Sequence, residues 1–166
     1  MNKTDVLISE IKNRRTKEKI VEVDEKKSII MIFTLSSELY GFLGEYVKEI
    51  LPFKDTTFVP GTPDFIKGVI NVRGDIEAVL NIHRLLNITS KNEESFIALV
   101  SKDGISSGVL VDTIEDVLDV PISSIKPPLE TLDEKIKSFV AGEIMYNNKN
   151  VTILDIGKIF GKIVKK

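Results

Sequence analysis

Residues 68–86, GVINVRGDIEAVLNIHRLL, lie on residues 142–160, GEIMYNNKNVTILDIGKIF, at a constant offset of 74. Gly68 meets Gly142, Ile70 meets Ile144, Leu80 meets Leu154, Asn81 meets Asp155, Ile82 meets Ile156 and Arg84 meets Lys158. In the first copy the apolar runs VINV and IEAVLNI flank the polar RGD, the pattern of two strands across a turn, and HRLLN follows as a helical turn. Upstream, YGFLGEYVKEIL lies on SGVLVDTIEDVL at an offset of 67. That register pairs Gly41 with Gly108, Leu43 with Leu110, Glu45 with Asp112, Glu49 with Asp116, Leu51 with Leu118 and Pro60 with Pro127. An insertion of seven residues separates the two registers. Two ordered runs of this kind predict two copies of one small β unit, each with about five short strands and a closing helical turn. Units of about 60 residues are marginal alone. The copies are therefore expected to share apolar faces, and their joint is a natural ligand groove.

The flanking sequence fits that plan. SIIMIFTL, starting at Ser28, reads as a strand, SSELYG supplies turn chemistry, and EYVKEIL sets Tyr46 or Val47 inward against Lys48 and Glu49. FVPGTPDFIKG carries two prolines and two glycines, which marks a loop with one turn of helix at Pro63–Ile66. Residues 1–27 are dense in charge, with Val6, Leu7, Ile11 and Ile20 as their main apolar points, and read as a mobile arm. Residues 28–160 hold the duplicated unit, and 161–166 form a basic tail whose lysines suit a helix C-terminus.

Composition narrows the function classes. With 166 residues the chain can bury roughly 70% of its unfolded surface, so a real core is available. Its 42% hydrophobic and 29% charged residues describe an ordinary folded chain, and its net charge of −2 supplies no field that recruits nucleic acid. The eight Phe and three Tyr fall mostly in apolar strand runs, not on a basic face where bases could stack. The absence of cysteine excludes disulfides, thiolate metal sites and a cysteine nucleophile. The N-terminal residues carry no apolar signal-peptide core and no run approaches a membrane span, which predicts a cytoplasmic protein with no direct membrane insertion. RGD at 73–75 and the sequons NKT, NIT and NVT are then coincidences.

Catalytic motifs are missing. There is no GxxxxGK[ST] loop, no GxGxxG opening a helix and no GxSxG elbow. The lone imidazole, His83 in NIHRLL, reads as a surface or satisfied residue and not as a base. The acids of DTIEDVLD alternate with Val, Ile and Leu as an exposed strand face does, and they lack calcium-loop spacing. No enzyme activity and no cofactor are expected.

FTLSSELYGF, VKEIL, VPGTPDFIKGVINVRGDI, VLNIHRLL, and SGVLVDTIEDVLDV with IKPP resemble the CheW family of chemotaxis coupling proteins. The similarity runs from about Ile29 to Phe160, and TPDFIKGVINVRG carries it most specifically. Ala78 and Asn81 stand where the family usually has Pro and Asp, and the arm has no counterpart. The resemblance implies a mainly β fold of two intertwined five-stranded SH3-like barrels with a few short helices. It implies a non-enzymatic adaptor joining the cytoplasmic tips of methyl-accepting receptors to the regulatory domain of the histidine kinase CheA, or a similar scaffold in another histidine-kinase pathway.

It also gives the arginine of RGD a role. On composition alone Arg73 is a solvated turn residue. By resemblance it occupies the arginine of the N-x-R-G motif used in the signalling complex, where its fixed fork of donors can hold carboxylates or carbonyls at a surface joint. Gly74 beside it frees the backbone of the turn. Glu49 and Lys67 are otherwise exposed strand charges; by resemblance they rim an apolar patch that includes Val47 on the receptor-facing surface. Because Glu49 aligns with Asp116, part of its role is expected to be structural and common to both copies.

Overall fold

Apolar alternation sets the strands. In β4, Ile66–Val72, the buried Gly68, Ile70 and Val72 alternate with exposed Lys67 and Asn71, so one face turns inward. The computed structural model describes residues 26–91 and 94–164 together with Thr4, Leu7 and Ile8, and the remainder of the expected arm lies outside the described residues. The other strands are β1 Lys27–Leu35, β2 Glu38–Leu43, β3 Val47–Pro52, β5 Asp75–Leu80, β6 Phe96–Lys102, β7 Ile105–Val111, β8 Thr113–Pro121, β9 Val140–Tyr146 and β10 Lys149–Leu154. Among the described residues from 26 onward, the α-helices are α1 Ile82–Leu86, α2 Glu134–Lys137 and α3 Ile156–Val164.

The repeat is visible element by element. The offset of 67 carries β2 onto β7 and β3 onto β8, and the offset of 74 carries β4 onto β9, β5 onto β10 and α1 onto α3. The inserted residues hold α2, capped by Asp133, whose carboxylate accepts from the Lys135 N–H at 2.9 Å.

The two copies do not form one sheet each. The sheets run β8-β1-β2-β10-β9 and β3-β6-β7-β5-β4, so each combines the first two strands of one copy with the last three of the other. Parallel pairing of β2 with β10 and of β5 with β7 makes the exchange. Each sheet curls into a small SH3-like barrel, and the loop before β4 or β9 crosses back over that strand through the Thr57–Val69 and Lys126–Glu143 bridges.

Three apolar cores follow. Ile70, Val72, Val79, Ile97, Leu99 and Leu110 fill one barrel; Ile30, Ile32, Ile144, Val151 and Ile153 fill the other. Between them lies the largest core, with Phe33, Phe42 and Leu154 from one sheet, Leu80, Val100 and Val109 from the second, and Ile82, Leu86, Ile156 and Phe160 from the helices. Sharing this core lets two units stand that could not each bury enough surface alone.

Two local expectations change. Pro63–Ile66 forms a hydrogen-bonded turn, with the Ile66 N–H donating to the Pro63 carbonyl at 3.0 Å, and no helix. The prolines lack donors, and the Asn81 N–H draws the Phe65 carbonyl into a 2.7 Å bond that commits the chain to β4. At the other end, α3 continues through residues 161–164, which read as tail, because Ile156, Ile159, Phe160 and Ile163 extend one apolar stripe at helical spacing. Among the described residues, no helix is long and apolar enough to cross a membrane.

Tyr40 on β2 tests the packing of the shared core. Its ring lies 6.4 Å from that of Phe33, and burial, with a smaller contribution from Glu38, pushes its phenol up to about 12. The unfolded phenol titrates near pH 10. Stability contributed by neutral Tyr40 is therefore complete below pH 10 and lost as the pH rises through 12. Urea melts at pH 9 and pH 11.5 should show wild type losing stability relative to Tyr40→Phe, on the order of 1–2 kcal/mol. An unchanged difference would mean the phenol is not buried.

Candidate partner-binding site

β4 and β5 are joined by a two-residue turn, Arg73-Gly74, with φ of 51° and 92°. Positive φ at both positions is the turn whose twist matches a hairpin, and glycine at the second adopts it at no steric cost. Asn71 fixes the turn, its side-chain oxygen accepting from the Gly74 N–H at 2.9 Å, while the Lys54 ammonium donates to the Asn71 carbonyl at 2.9 Å.

From this turn the Arg73 guanidinium reaches back and pairs with Glu49 on β3 through Nη2 and Oε1. β3 and β4 are opposite edges of the same sheet, so the pair clasps the seam of the barrel at its tip. The Arg73 side chain is 72% exposed and that of Glu49 30% exposed. Such a pair contributes at most about 1 kcal/mol to stability. What it does fix is the direction of a charged fork whose further donors face solvent.

The second barrel closes the same seam with different chemistry. Asp116, which the repeat places on Glu49, accepts a 2.9 Å hydrogen bond from the Tyr146 hydroxyl. That bond, followed by burial and the charges of Asp116 and Glu115, raises the phenol's pKa. The tip there is Asn147-Asn148, with φ of 49° and 62°. One backbone thus presents a cationic tip on one barrel and a neutral tip on the other.

The remaining expected site residues separate. Val47 is half-buried and packs onto the shared core, paired with Val100 of β6. Lys67 stands at the bulge near the other end of β4, six residues from Arg73 or about 20 Å along the strand. Its ammonium lies 5.7 Å from the centroid of the Phe53 ring. Arg73, Gly74 and Glu49 form one cluster; Lys67 belongs to another surface.

That other surface is the joint. A cavity of about 810 Å³ is lined by Phe65, Lys67, His83, Arg84, Glu94 and Lys162, among others, where α1 meets the second copy. Arg84 pairs with Asp64 at its mouth, 3.3 Å apart. Burial raises the Glu94 carboxyl, but its own backbone N–H, the Ser90 hydroxyl, His83 and Lys67 outweigh burial and hold it below the usual carboxylate range.

His83 reads in the sequence as a surface or satisfied residue, yet it is fully buried, and neither ring nitrogen is hydrogen-bonded to any of the described residues. Asp112, read with its neighbours as an exposed face, is 2% exposed; its chain position follows β7, where the strand turns under α1 and the Ser36 N–H binds its carboxylate at 2.6 Å. Local alternation could not show this, because Asp112 lies 29 residues from His83 and 76 from Ser36 in sequence.

Comparison with known proteins places this geometry. Residues 30–164 match the family model described as the CheW-like domain. The Chemotaxis protein CheW of Klebsiella aerogenes is 30% identical over 131 residues, covering 78% of this chain and 79% of the relative. That of Treponema pallidum is 26% identical over 145 residues, covering 83% and 85%. Among solved structures, the scaffolding protein TtCheW from Thermoanaerobacter tengcongensis superposes with a TM-score of 0.71 at 31% identity, over 79% of this chain and 90% of the other.

Proposed function

The chain belongs to the CheW family, and from that premise we infer that it is a non-enzymatic adaptor coupling methyl-accepting chemotaxis receptors to the histidine kinase CheA at the inner face of the membrane. One observation carries the reading beyond the family name. The two barrels share a backbone plan but end in chemically different tips, Arg73-Gly74 over Glu49 and Asn147-Asn148 over Asp116, which suits a chain that must tell two partners apart. The Arg73 cluster is the specific contact for one of them. Signal passes if the adaptor's contacts differ between the kinase's two states, since a ligand indifferent to both shifts neither.

Arg73→Ala separates recognition from folding. Its thermal midpoint should stay within a few degrees of wild type, because an exposed pair contributes at most about 1 kcal/mol. Its affinity for one partner, the kinase's regulatory domain or a receptor-tip fragment, should fall about tenfold or more while the other is unchanged, as expected for an arginine anchor. Calorimetric titration reads both. Equal affinities for wild type and variant with both partners would remove Arg73 from the binding surface.

A further inference from the structure

We propose that His83, Glu94 and Asp112 bind one divalent transition-metal cation of the zinc class, fastening α1 of the first copy to the strands of the second. The three side chains converge beneath the joint cavity, and one ligand atom from each lies within 4.8 Å of the others. The His83 Nε2 is 3.4 Å from an Asp112 oxygen and its Nδ1 is 3.7 Å from a Glu94 oxygen. The His83 side chain is 1% exposed and, among the described residues, makes no hydrogen bond through either nitrogen; the facing Asp112 Oδ1 makes none either. Buried polar atoms left without partners are costly, and a cation held by one imidazole nitrogen, by Asp112 Oδ1 and by a Glu94 oxygen would give the first two a partner.

The surroundings are arranged as a ligand shell requires. Asp112 uses its other oxygen to accept from the Ser36 N–H, which aims Oδ1 at the imidazole. Glu94 accepts from the Ser90 hydroxyl at 2.8 Å. Bonds of this kind orient ligands around an ion. One imidazole nitrogen with two carboxylate oxygens suits zinc, which takes N and O donors at about 2.0–2.2 Å. Magnesium and calcium take oxygen ligands and have no use for the imidazole. The ligand atoms must draw together by about an ångström, and Glu94, on the cavity side, has the longest side chain to do so. The cavity, lined by both His83 and Glu94, gives the ion an entry path and room for a water in the fourth position.

The cluster is not a requirement of the fold. On the repeat offsets the second copy has Gly157 where His83 stands, and the first copy has Glu45 and Lys27 where Asp112 and Glu94 stand. The second copy folds to the same strands and helix without the imidazole.

The whole chain, free of any affinity tag and stripped with chelator, should bind one equivalent of ZnCl₂ in calorimetry, with a raised thermal midpoint and no matching response to MgCl₂. Glu94→Gln and His83→Gln should each weaken binding at least tenfold. Because buried substitutions can unfold a chain, nitrogen-15 NMR of the wild-type imidazole gives a second readout, and His83 is the only histidine. One equivalent of Zn²⁺ should shift one ring nitrogen to the metal-bound range. Absence of stoichiometric binding, binding that leaves the His83 signals unmoved, or an imidazole protonated on both nitrogens and indifferent to Zn²⁺ would each overturn the site. In the last case a proton occupies the clamp in place of a metal.

Discussion

Phe33→Ala should cost about 3–5 kcal/mol, the range for deleting a buried aromatic ring and leaving a cavity. Phe33 is fully buried in the shared core, its ring centroid 4.7 Å from that of Phe42 and 6.4 Å from that of Tyr40. Domains of this kind have roughly 5–15 kcal/mol in all, so the variant should be close to the edge of folding and its melting temperature lower by on the order of 10 °C. The pattern of the loss is as diagnostic as its size. Phe33 belongs to one sheet, but the core it fills includes Val100 and Val109 from the other, and each sheet contains strands of both copies. Hydrogen exchange in the variant should therefore accelerate equally in β1 and in β6. Faster exchange confined to the β1 sheet would mean that the barrels are independent and the shared core does not join them.

Gly68→Ala should cost about 2–3 kcal/mol, more than an exposed loop glycine ordinarily does. A Cβ at Gly68 would stand 2.4 Å from the Thr57 carbonyl oxygen, where the loop after β3 crosses β4. The second copy is as tight at the equivalent Gly142, where a Cβ would meet the Lys126 carbonyl oxygen at 2.8 Å. The control is Gly74→Ala. Its φ of 92° is positive, as is that of Gly68 at 156°, but a Cβ there meets none of the described residues within 4 Å, so only the conformational cost of about 1 kcal/mol applies. Denaturant melts of both variants separate crossing from turn geometry. Equal losses would mean that the loop yields and the crossing is not rigid.

These glycines show what was legible in the sequence. The offsets of 67 and 74 exposed Gly68 and Gly142 as equivalents and gave the strand plan, because backbone crossings and alternating apolar faces leave residue types that survive in both copies. The exchange of strands was not legible from the repeat. A strand's own residues fix which face is buried, but pairing β3 with β6, or β8 with β1, depends on how the copies dock. The family resemblance supplied that feature, and the sheet order agrees with it.

At the site, Glu49 paired with Asp116 in the repeat, and both close a seam, so its structural share was readable in advance. Its particular partner was not, since Arg73 reaches it across opposite sheet edges that only curvature brings together. Val47 was legible as an inward candidate from its alternation with Lys48, and it packs on the shared core; its place in a receptor-facing patch came from the resemblance alone. His83 shows the converse limit. A lone polar residue among Ile82, Leu85 and Leu86 gives no local sign that two carboxylates from the second copy will bury beside it.

An adaptor of this kind must hold two different partners at once. Calorimetry tests it directly: the full chain is saturated with CheA's regulatory domain, and a receptor-tip fragment is then titrated in. The fragment should bind the preformed complex saturably, with an affinity within about tenfold of that for the free chain, the usual scale of coupling between sites. Failure to bind either partner, or complete exclusion of the fragment by the kinase domain, would contradict an adaptor with two faces.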